Sequence, residues 1–320
     1  MQIILFTNSQ WSLPLLIWLE ERKLIKGVVL TNRSHQANFN IRHYAEHKEI
    51  PYLAISNTEQ AVLHDWMKSL EPDLAICFTF PLTIQASILT IPTYGFVNIH
   101  FGKLPEDAGP DPLFWILRKQ NKIVPICYHF MTDHIDSGPV IMMEQHTIYP
   151  GENYGLLGAR LSQFVMMSME RLFEKVKTLA VDPINKQLET KLHPHKRPTQ
   201  DDLTIDWFSN SSDEIEALVN AANPTYGGAI SYLRGAMINI LEVSPAQVNN
   251  GALITPGSVV HADQENGIFV LCSDYRFLRL NIIRTPECII SGGKLAALGL
   301  RNGEKFGLAK STVNSPKILV

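Results

Sequence analysis

MQIILF (1–6), WSLPLLIWLEERKL (11–24) and IKGVVLTN (25–32) follow one another at the start of the chain, and their order decides the fold. An apolar run, a segment with apolar positions at helical spacing and a second apolar run read as strand, helix, strand. The alternation continues outward: a helix around 38–49, strands at PDLAICFTF (72–80) and GFVNIH (95–100), and a helix at PLFWILRKQ (112–120). VPICYHFM (124–131) and PVIMMEQHTI (139–148) then read as a hairpin pair. The fold class is therefore α/β, with a doubly wound, mostly parallel sheet over residues 1–150.

The next segment, 154–179, carries apolar residues at helical spacing over many turns and predicts one long core-packed helix, with its methionines as core filler. NKQLETKLHPHKRPTQDD (185–202) is polar and proline-punctuated, the composition of a linker. Its HPHKRP patch (193–198) reads as solvated chain. Beyond it, SSDEIEALVNAAN (211–223) opens with a capping-box pattern and stops before Pro224. Short runs at 237–244, 257–262, 267–273 and 277–284, separated by turn residues, suit a small β-barrel. The expected division is thus a catalytic domain at 1–184, a linker at 185–202 and a small C-terminal domain at 203–320.

The 320 residues carry 45% hydrophobic and 18% charged side chains and a net charge of −3, so the whole chain has no basic footprint for nucleic acid, although a local patch can still bind phosphate. Cys77, Cys127, Cys272 and Cys288 are scattered without ligand spacing and predict buried reduced thiols, with no metal site. No long apolar run or leader pattern is present, and the expectation is a cytoplasmic protein with no membrane association. FTNSQWSLP (6–14), at the turn where a dinucleotide fingerprint sits, contains no glycine, and no GxSxG or HExxH occurs.

The chemistry lies elsewhere. Asn98 and His100, two apart at the end of an apolar run, point to one face of an extended segment. Asp136 follows in a loop bounded by Gly138 and Pro139 that can fold back beside them. Amide, imidazole and carboxylate together can donate to a developing oxyanion and move a proton, as acyl transfer requires.

The whole segment GFVNIHFGKLPEDAGPDPLFWILRKQNKIVPICYHFMTDHIDSGP (95–139) resembles the signature of the folate-dependent formyltransferases. In that family Asn-x-His at a strand end precedes a Leu-Pro loop, a glycine, a proline-containing helix start and Asp-[Thr/Ser]-Gly. These stand here as Asn98-Ile99-His100, Leu104-Pro105, Gly109, Pro112 and Asp136-Ser137-Gly138. Ile205-Asp206-Trp207 and the turn from Pro224 to Ala229 are similar to the passage into the C-terminal domain of larger members, and the remainder resembles their small open, OB-like barrel.

The resemblance implies transfer of the formyl group of 10-formyltetrahydrofolate to an amine, without a metal. Asn98 and a protonated His100 would donate to the oxyanion. Asp136 would orient His100, raise its pKa and help take the amine proton, with the identity of the base left open. Phe80, Leu82 and Thr83, with Asp133 and Ile135 on the opposite loop, would line the folate pocket. Most relatives carry Pro after the histidine, then Ser-Leu-Leu-Pro and Tyr-Arg-Gly. This chain instead has Phe101-Gly102-Lys103-Leu104-Pro105 and Asp107-Ala108-Gly109, losing the arginine and gaining the acidic pair Glu106 and Asp107 at the acceptor rim. Residues 31–51 also lack a dense basic insertion. The expected acceptor is therefore a small-molecule amine, such as an amino-sugar nucleotide or a hydroxyornithine. The charged initiator tRNA is the alternative partner; a formyl-folate hydrolase and a non-catalytic binding relative remain as further alternatives.

Overall fold

The computed structural model describes residues 1–32, 36–181, 194–248 and 254–307. Of the expected linker, residues 185–193 lie outside that range, and so does part of the stretch after the second strand. The described chain divides into two compact units. One comprises Met1–Pro112, Ile123–Thr147 and Gly158–Lys196; the other comprises Leu113–Lys122, Ile148–Leu157 and the chain from Arg197.

In chain order the elements are β1 (Ile3–Thr7), α1 (Leu13–Glu21), β2 (Ile25–Thr31), α2 (Gln36–His47), β3 (Tyr52–Ile55), α3 (Gln60–Leu70) and β4 (Leu74–Phe78). Then come α4 (Ala86–Leu89), β5 (Phe96–His100), α5 (Pro112–Arg118), β6 (Ile123–Phe130), β7 (Val140–Thr147), α6 (Tyr154–Met167) and α7 (Met169–Val181). The first unit is built on one sheet of order β3-β2-β1-β4-β5-β6-β7. Its strands are parallel from β3 through β5, and β6 and β7 are antiparallel. β1 and β4 are buried at every residue, which is why both read as unbroken apolar runs. The strand order reverses beside β1 and β4, and ligands of such sheets sit in the crevice beyond the carboxyl ends of the strands. His100 is the last residue of β5 and stands at that edge.

Two elements escape the sequence pattern. β3 (Tyr52-Leu53-Ala54-Ile55) is apolar but only four residues long, between Pro51 and Ser56 at the edge of the sheet with only its last residue buried, too short a run to read as a strand, and α3 follows it. The segment expected as one long helix is divided at Ser168, whose hydroxyl donates to both carboxylate oxygens of Glu144 on β7, at 2.9 and 2.7 Å. Met169 fills the core as expected, whereas Met167 is 70% exposed.

The second unit continues with α8 (Gln200–Leu203), α9 (Ser212–Ala222), β8 (Ala229–Leu233), β9 (Ala236–Ala246), β10 (Val259–Asp263), β11 (Gly267–Leu271), β12 (Phe277–Arg284), β13 (Ile289–Ser291), α10 (Gly292–Ala297) and β14 (Phe306–Gly307). Its antiparallel sheet has the order β10-β11-β12-β9-β8-β14, with β13 on β12, and curls into a half-barrel. The capping box at the start of α9 is present: Ser211 and Glu214 satisfy each other's backbone N–H groups. Trp207 of the Ile-Asp-Trp sequence is buried in this unit and donates its indole N–H to Ser231 Oγ at 2.9 Å. The four cysteines are free; Cys77, Cys127 and Cys272 are buried as expected, but Cys288 is exposed. Among the described residues no helix is long and apolar enough to cross a membrane.

Candidate active site

Asn98 and His100 leave the same face of β5, and the antiparallel register sets His129 of β6 directly opposite Asn98. Asp136 lies in the loop that joins β6 to β7. Its backbone is left-handed, with φ 53°, a conformation that aspartate tolerates better than most residues. The loop closes at its neck through a hydrogen bond from the Phe130 N–H to Pro139 O at 2.9 Å. Glycine is required at 138 because a Cβ there would overlap the Phe130 carbonyl. Within the loop, Thr132 and Ser137 share a hydroxyl hydrogen bond of 2.8 Å. These constraints aim the Asp136 carboxylate back at β5.

The expected trio comes together. Asn98 Nδ2 donates to Asp136 Oδ1 at 3.4 Å, and His100 Nδ1 lies 3.9 Å from Asp136 Oδ2. His100 and Asp136 are buried, and Asn98 is partly open. Three further groups complete the arrangement. The Gly109 N–H donates to Asp136 Oδ2 at 2.8 Å. His100 Nε2 is 2.7 Å from the carbonyl oxygen of Asp107. His129 Nε2 is 3.1 Å from Asn98 Nδ2 and 3.6 Å from Asp136 Oδ1.

These partners assign the tautomers. A carbonyl only accepts, so Nε2 of His100 carries the proton and, in the neutral ring, the Nδ1 lone pair faces Asp136. By the same argument His129 donates from Nδ1 to Phe130 O at 2.9 Å, and its Nε2 accepts from the Asn98 amide. Both N–H groups of Asn98 are thereby held in one orientation.

One electrostatic expectation is overturned. Burial pushes the His100 imidazole below the ordinary histidine value and outweighs the raising influence of Asp136, so His100 is neutral at pH 7 rather than protonated. Its orientation comes from the Asp107 carbonyl, because the 3.9 Å gap to Asp136 is too wide for a direct hydrogen bond. Burial would raise the Asp136 carboxyl, but the N–H groups of Gly109 and Asn98 that it accepts, with the His129 and His100 rings beside it, hold it below the usual carboxylate range. The resting pair is a neutral imidazole beside a carboxylate.

The other candidate residues divide. Phe80 and Leu82, both half-buried, pack with Met131 against the core around β1 and β4, and the Phe80 ring meets Phe6 edge-on at 5.3 Å. Thr83 is exposed, and its carbonyl accepts from Gln60 Nε2 at 3.0 Å. Asp133 is exposed and turns to His134 Nδ1 at 2.7 Å; Ile135 is 66% exposed beside Asp136. In the loop expected to form the acceptor rim, Glu106 pairs with Lys103 at 2.6 Å, and Asp107 Oδ2 accepts the Lys103 backbone N–H at 3.0 Å. HPHKRP is not solvated throughout: the His195 side chain is mostly buried, 3.6 Å from Asp107 Oδ1.

His129 escaped the sequence reading, although a polar residue at one position of an otherwise apolar hairpin strand was a usable signal. The Asp107 carbonyl and the Gly109 N–H had no signal, since backbone groups carry no side-chain identity.

An amide and an imidazole at the carboxyl end of β5 of a doubly wound sheet, with a loop carboxylate folded back beside them, are groups suited to group transfer. Residues 21–170 match the family described as formyl transferase, and residues 197–297 match its C-terminal domain. Methionyl-tRNA formyltransferase of Geotalea uraniireducens is 30% identical over 235 residues, 73% of this chain and 72% of that protein. Among solved structures, HypX from Aquifex aeolicus in complex with tetrahydrofolic acid superposes with a TM-score of 0.64 at 16% identity. That match covers 100% of this chain and 51% of HypX, so the chain spans about half the length of that relative. WlaRD, a sugar 3N-formyltransferase solved in the presence of dTDP and 5-N-formyl-THF, gives a TM-score of 0.56 at 13% identity over 90% of this chain and 98% of its own. The chain belongs to the folate-dependent formyltransferase family and is an enzyme that transfers formyl groups.

Proposed function

We propose that the chain moves the formyl group of 10-formyltetrahydrofolate to the amine of a small-molecule acceptor, with Asn98, His100 and Asp136 as its catalytic residues. The observation that carries this reading is the buried His100, held by the Asp107 carbonyl at Nε2 with its Nδ1 turned to the Asp136 carboxylate across 3.9 Å, beside the Asn98 amide. A formyl-folate, when bound, supplies an electrophilic carbonyl. The half-buried Phe80, Leu82 and Met131 and the exposed Ile135 fit such a group, offering apolar walls to a flat ring. Thr83 and Asp133 stand at its rim.

The proton accounting follows from the tautomers. As the acceptor nitrogen bonds to the formyl carbon, His100 Nδ1 would take its proton, and the imidazolium so formed would be stabilised by the adjacent Asp136 carboxylate; His100 would then return that proton to the departing folate nitrogen as the bond from that nitrogen to the formyl carbon breaks. Nε2 keeps its hydrogen bond to Asp107 O throughout, so the ring does not rotate. Asn98 donates to the oxygen that gains negative charge. Its bond to Asp136 is long, at 3.4 Å, so redirecting that N–H costs little. One such donor is worth roughly 3–4 kcal/mol in the transition state.

The loop from Phe101 to Gly109 favours a small amine, because it presents Glu106 and Asp107 and no arginine. A second reading, methionyl-tRNA formylation, is favoured by the 30% identity to the Geotalea enzyme.

Release of tetrahydrofolate from 10-formyltetrahydrofolate separates them. It should follow addition of an amino-sugar nucleotide or hydroxyornithine. Release only with charged initiator tRNA would establish the second reading, release with water alone a hydrolase, and no release in any case would overturn catalysis.

A further inference from the structure

We infer that His195 is a positioning residue for formyl transfer, gripping the Asp107–Gly109 loop from the side opposite the catalytic pair. The inference rests on the assignment of His100 and Asp136 above. Three consecutive residues of that loop make alternating contacts. Towards the site, Asp107 O accepts from His100 Nε2 at 2.7 Å, and the Gly109 N–H donates to Asp136 Oδ2 at 2.8 Å. Away from it, Ala108 O accepts the His195 backbone N–H at 2.7 Å, and Asp107 Oδ1 lies 3.6 Å from His195 Nε2.

The fit is close. The side chains of His195 and Asp107 are 17% and 15% exposed, so the contact is largely shielded from water. Gly109 has φ +99°, and a Cβ there would fall 2.5 Å from His195 O and 2.9 Å from His195 N. Only a glycine backbone lets the 194–196 segment lie this near. The other Asp107 oxygen is committed to the Lys103 N–H, which leaves Oδ1 facing His195.

The peptide groups between Asp107 and Gly109 are planar and short, so a shift on the His195 side moves the acceptor of His100 and the donor of Asp136 together. Both catalytic contacts are below 3 Å, where a displacement of about 1 Å breaks a hydrogen bond and misplacements of that size cost roughly 100-fold in rate. His195 thus acts through Asp107 and Ala108 and touches no reacting atom.

The test uses the full chain and two readouts. Nitrogen-15 imidazole spectra, with His100 assigned from His100→Gln, should give His100 the Nε2–H tautomer in the wild type. In His195→Phe, which keeps the ring volume but has no donor, that signal should become mixed. The kcat for tetrahydrofolate release, measured with whichever acceptor or water turns over fastest, should fall at least tenfold in His195→Phe, with KM for 10-formyltetrahydrofolate within twofold. His195→Gln should return kcat to within threefold. In an Asp107→Asn background the His195→Phe loss should shrink below threefold.

A His195→Phe enzyme with kcat within twofold of wild type and an unchanged tautomer overturns the inference, as do fully multiplying losses with Asp107→Asn. If His195→Phe does not fold, the smaller donor-free His195→Leu decides: a mixed tautomer and lost kcat support the inference, and wild-type values overturn it. If His100→Ala keeps full activity, the catalytic assignment falls instead, and the tautomer signal still decides whether His195 positions the ring.

Discussion

Asp136→Asn removes one charge and keeps the volume, and the structure sets what that should cost. The carboxylate accepts on both oxygens, Oδ1 from Asn98 Nδ2 and Oδ2 from the Gly109 N–H. A carboxamide has only one acceptor oxygen, so either orientation turns its NH2 towards a donor. One buried donor left without its partner costs about 1–3 kcal/mol, a fall of several degrees in Tm. The effect on rate is larger. The imidazolium formed at His100 Nδ1 stands 3.9 Å from Oδ2. At an effective dielectric constant near 20, that pair is worth about 4 kcal/mol, or roughly a 1,000-fold change in rate. The assay is initial-rate release of tetrahydrofolate across pH, with folding followed by circular dichroism. The expected result is a kcat about three orders of magnitude lower, with KM for the folate donor changed less than fivefold. The acid limb should also move to lower pH, because His100 loses the raising influence of Asp136. A folded variant with kcat within tenfold of wild type, or an acid limb that moves up, would refute the assignment of Asp136 as the counter-charge.

His100 and His146 sit below the ordinary histidine value of 6.5, chiefly through burial, so the unfolded chain binds more protons there in acid. Their contribution to stability should be complete above about pH 6.5 and lost as the pH falls through that value towards their folded pKa values. Asp136, also lowered, should add a second loss below its ordinary 3.8. Thermal unfolding from pH 8 to 3 checks this, and a Tm that rises between pH 7 and 5 contradicts it; in His100→Gln the first decline should shrink. Phe80→Ala removes half of an apolar wall and should raise KM for 10-formyltetrahydrofolate about tenfold, with kcat within threefold; an unchanged KM would remove Phe80 from the folate pocket. Gly138→Ala sets a Cβ against the Phe130 carbonyl and should cost roughly 1–3 kcal/mol while displacing Asp136, read as a lower Tm together with a lower kcat. Normal values of both would mean that the loop neck is not fixed.

Much of the fold was legible because burial on both faces leaves a mark in composition. β1 and β4, covered above and below, are apolar at every position but Thr7, whereas the edge strand β3 is a run of only four apolar residues between Pro51 and Ser56, too short to distinguish from a loop. The capping box of α9 was legible because both of its partners lie within one turn of chain. The division at Ser168 was not, since its partner Glu144 comes from another strand. The same contrast runs through the site.

The sequence by itself determined that Asn98 and His100 share one face, because strand periodicity is local, and that Asp136 closes a tight loop, because the Asp-Ser-Gly spelling requires it. Only the tertiary structure decided that His129 stands opposite Asn98 across the antiparallel register and that the Asp107 carbonyl fixes the imidazole tautomer. It also decided that His195 grips the same loop from far along the chain. Whether His100 rests neutral or charged belongs to that second group. The pKa of an imidazole reflects the competition between burial and its neighbours' charges, and the sequence names the neighbours but not how much water is left around the ring.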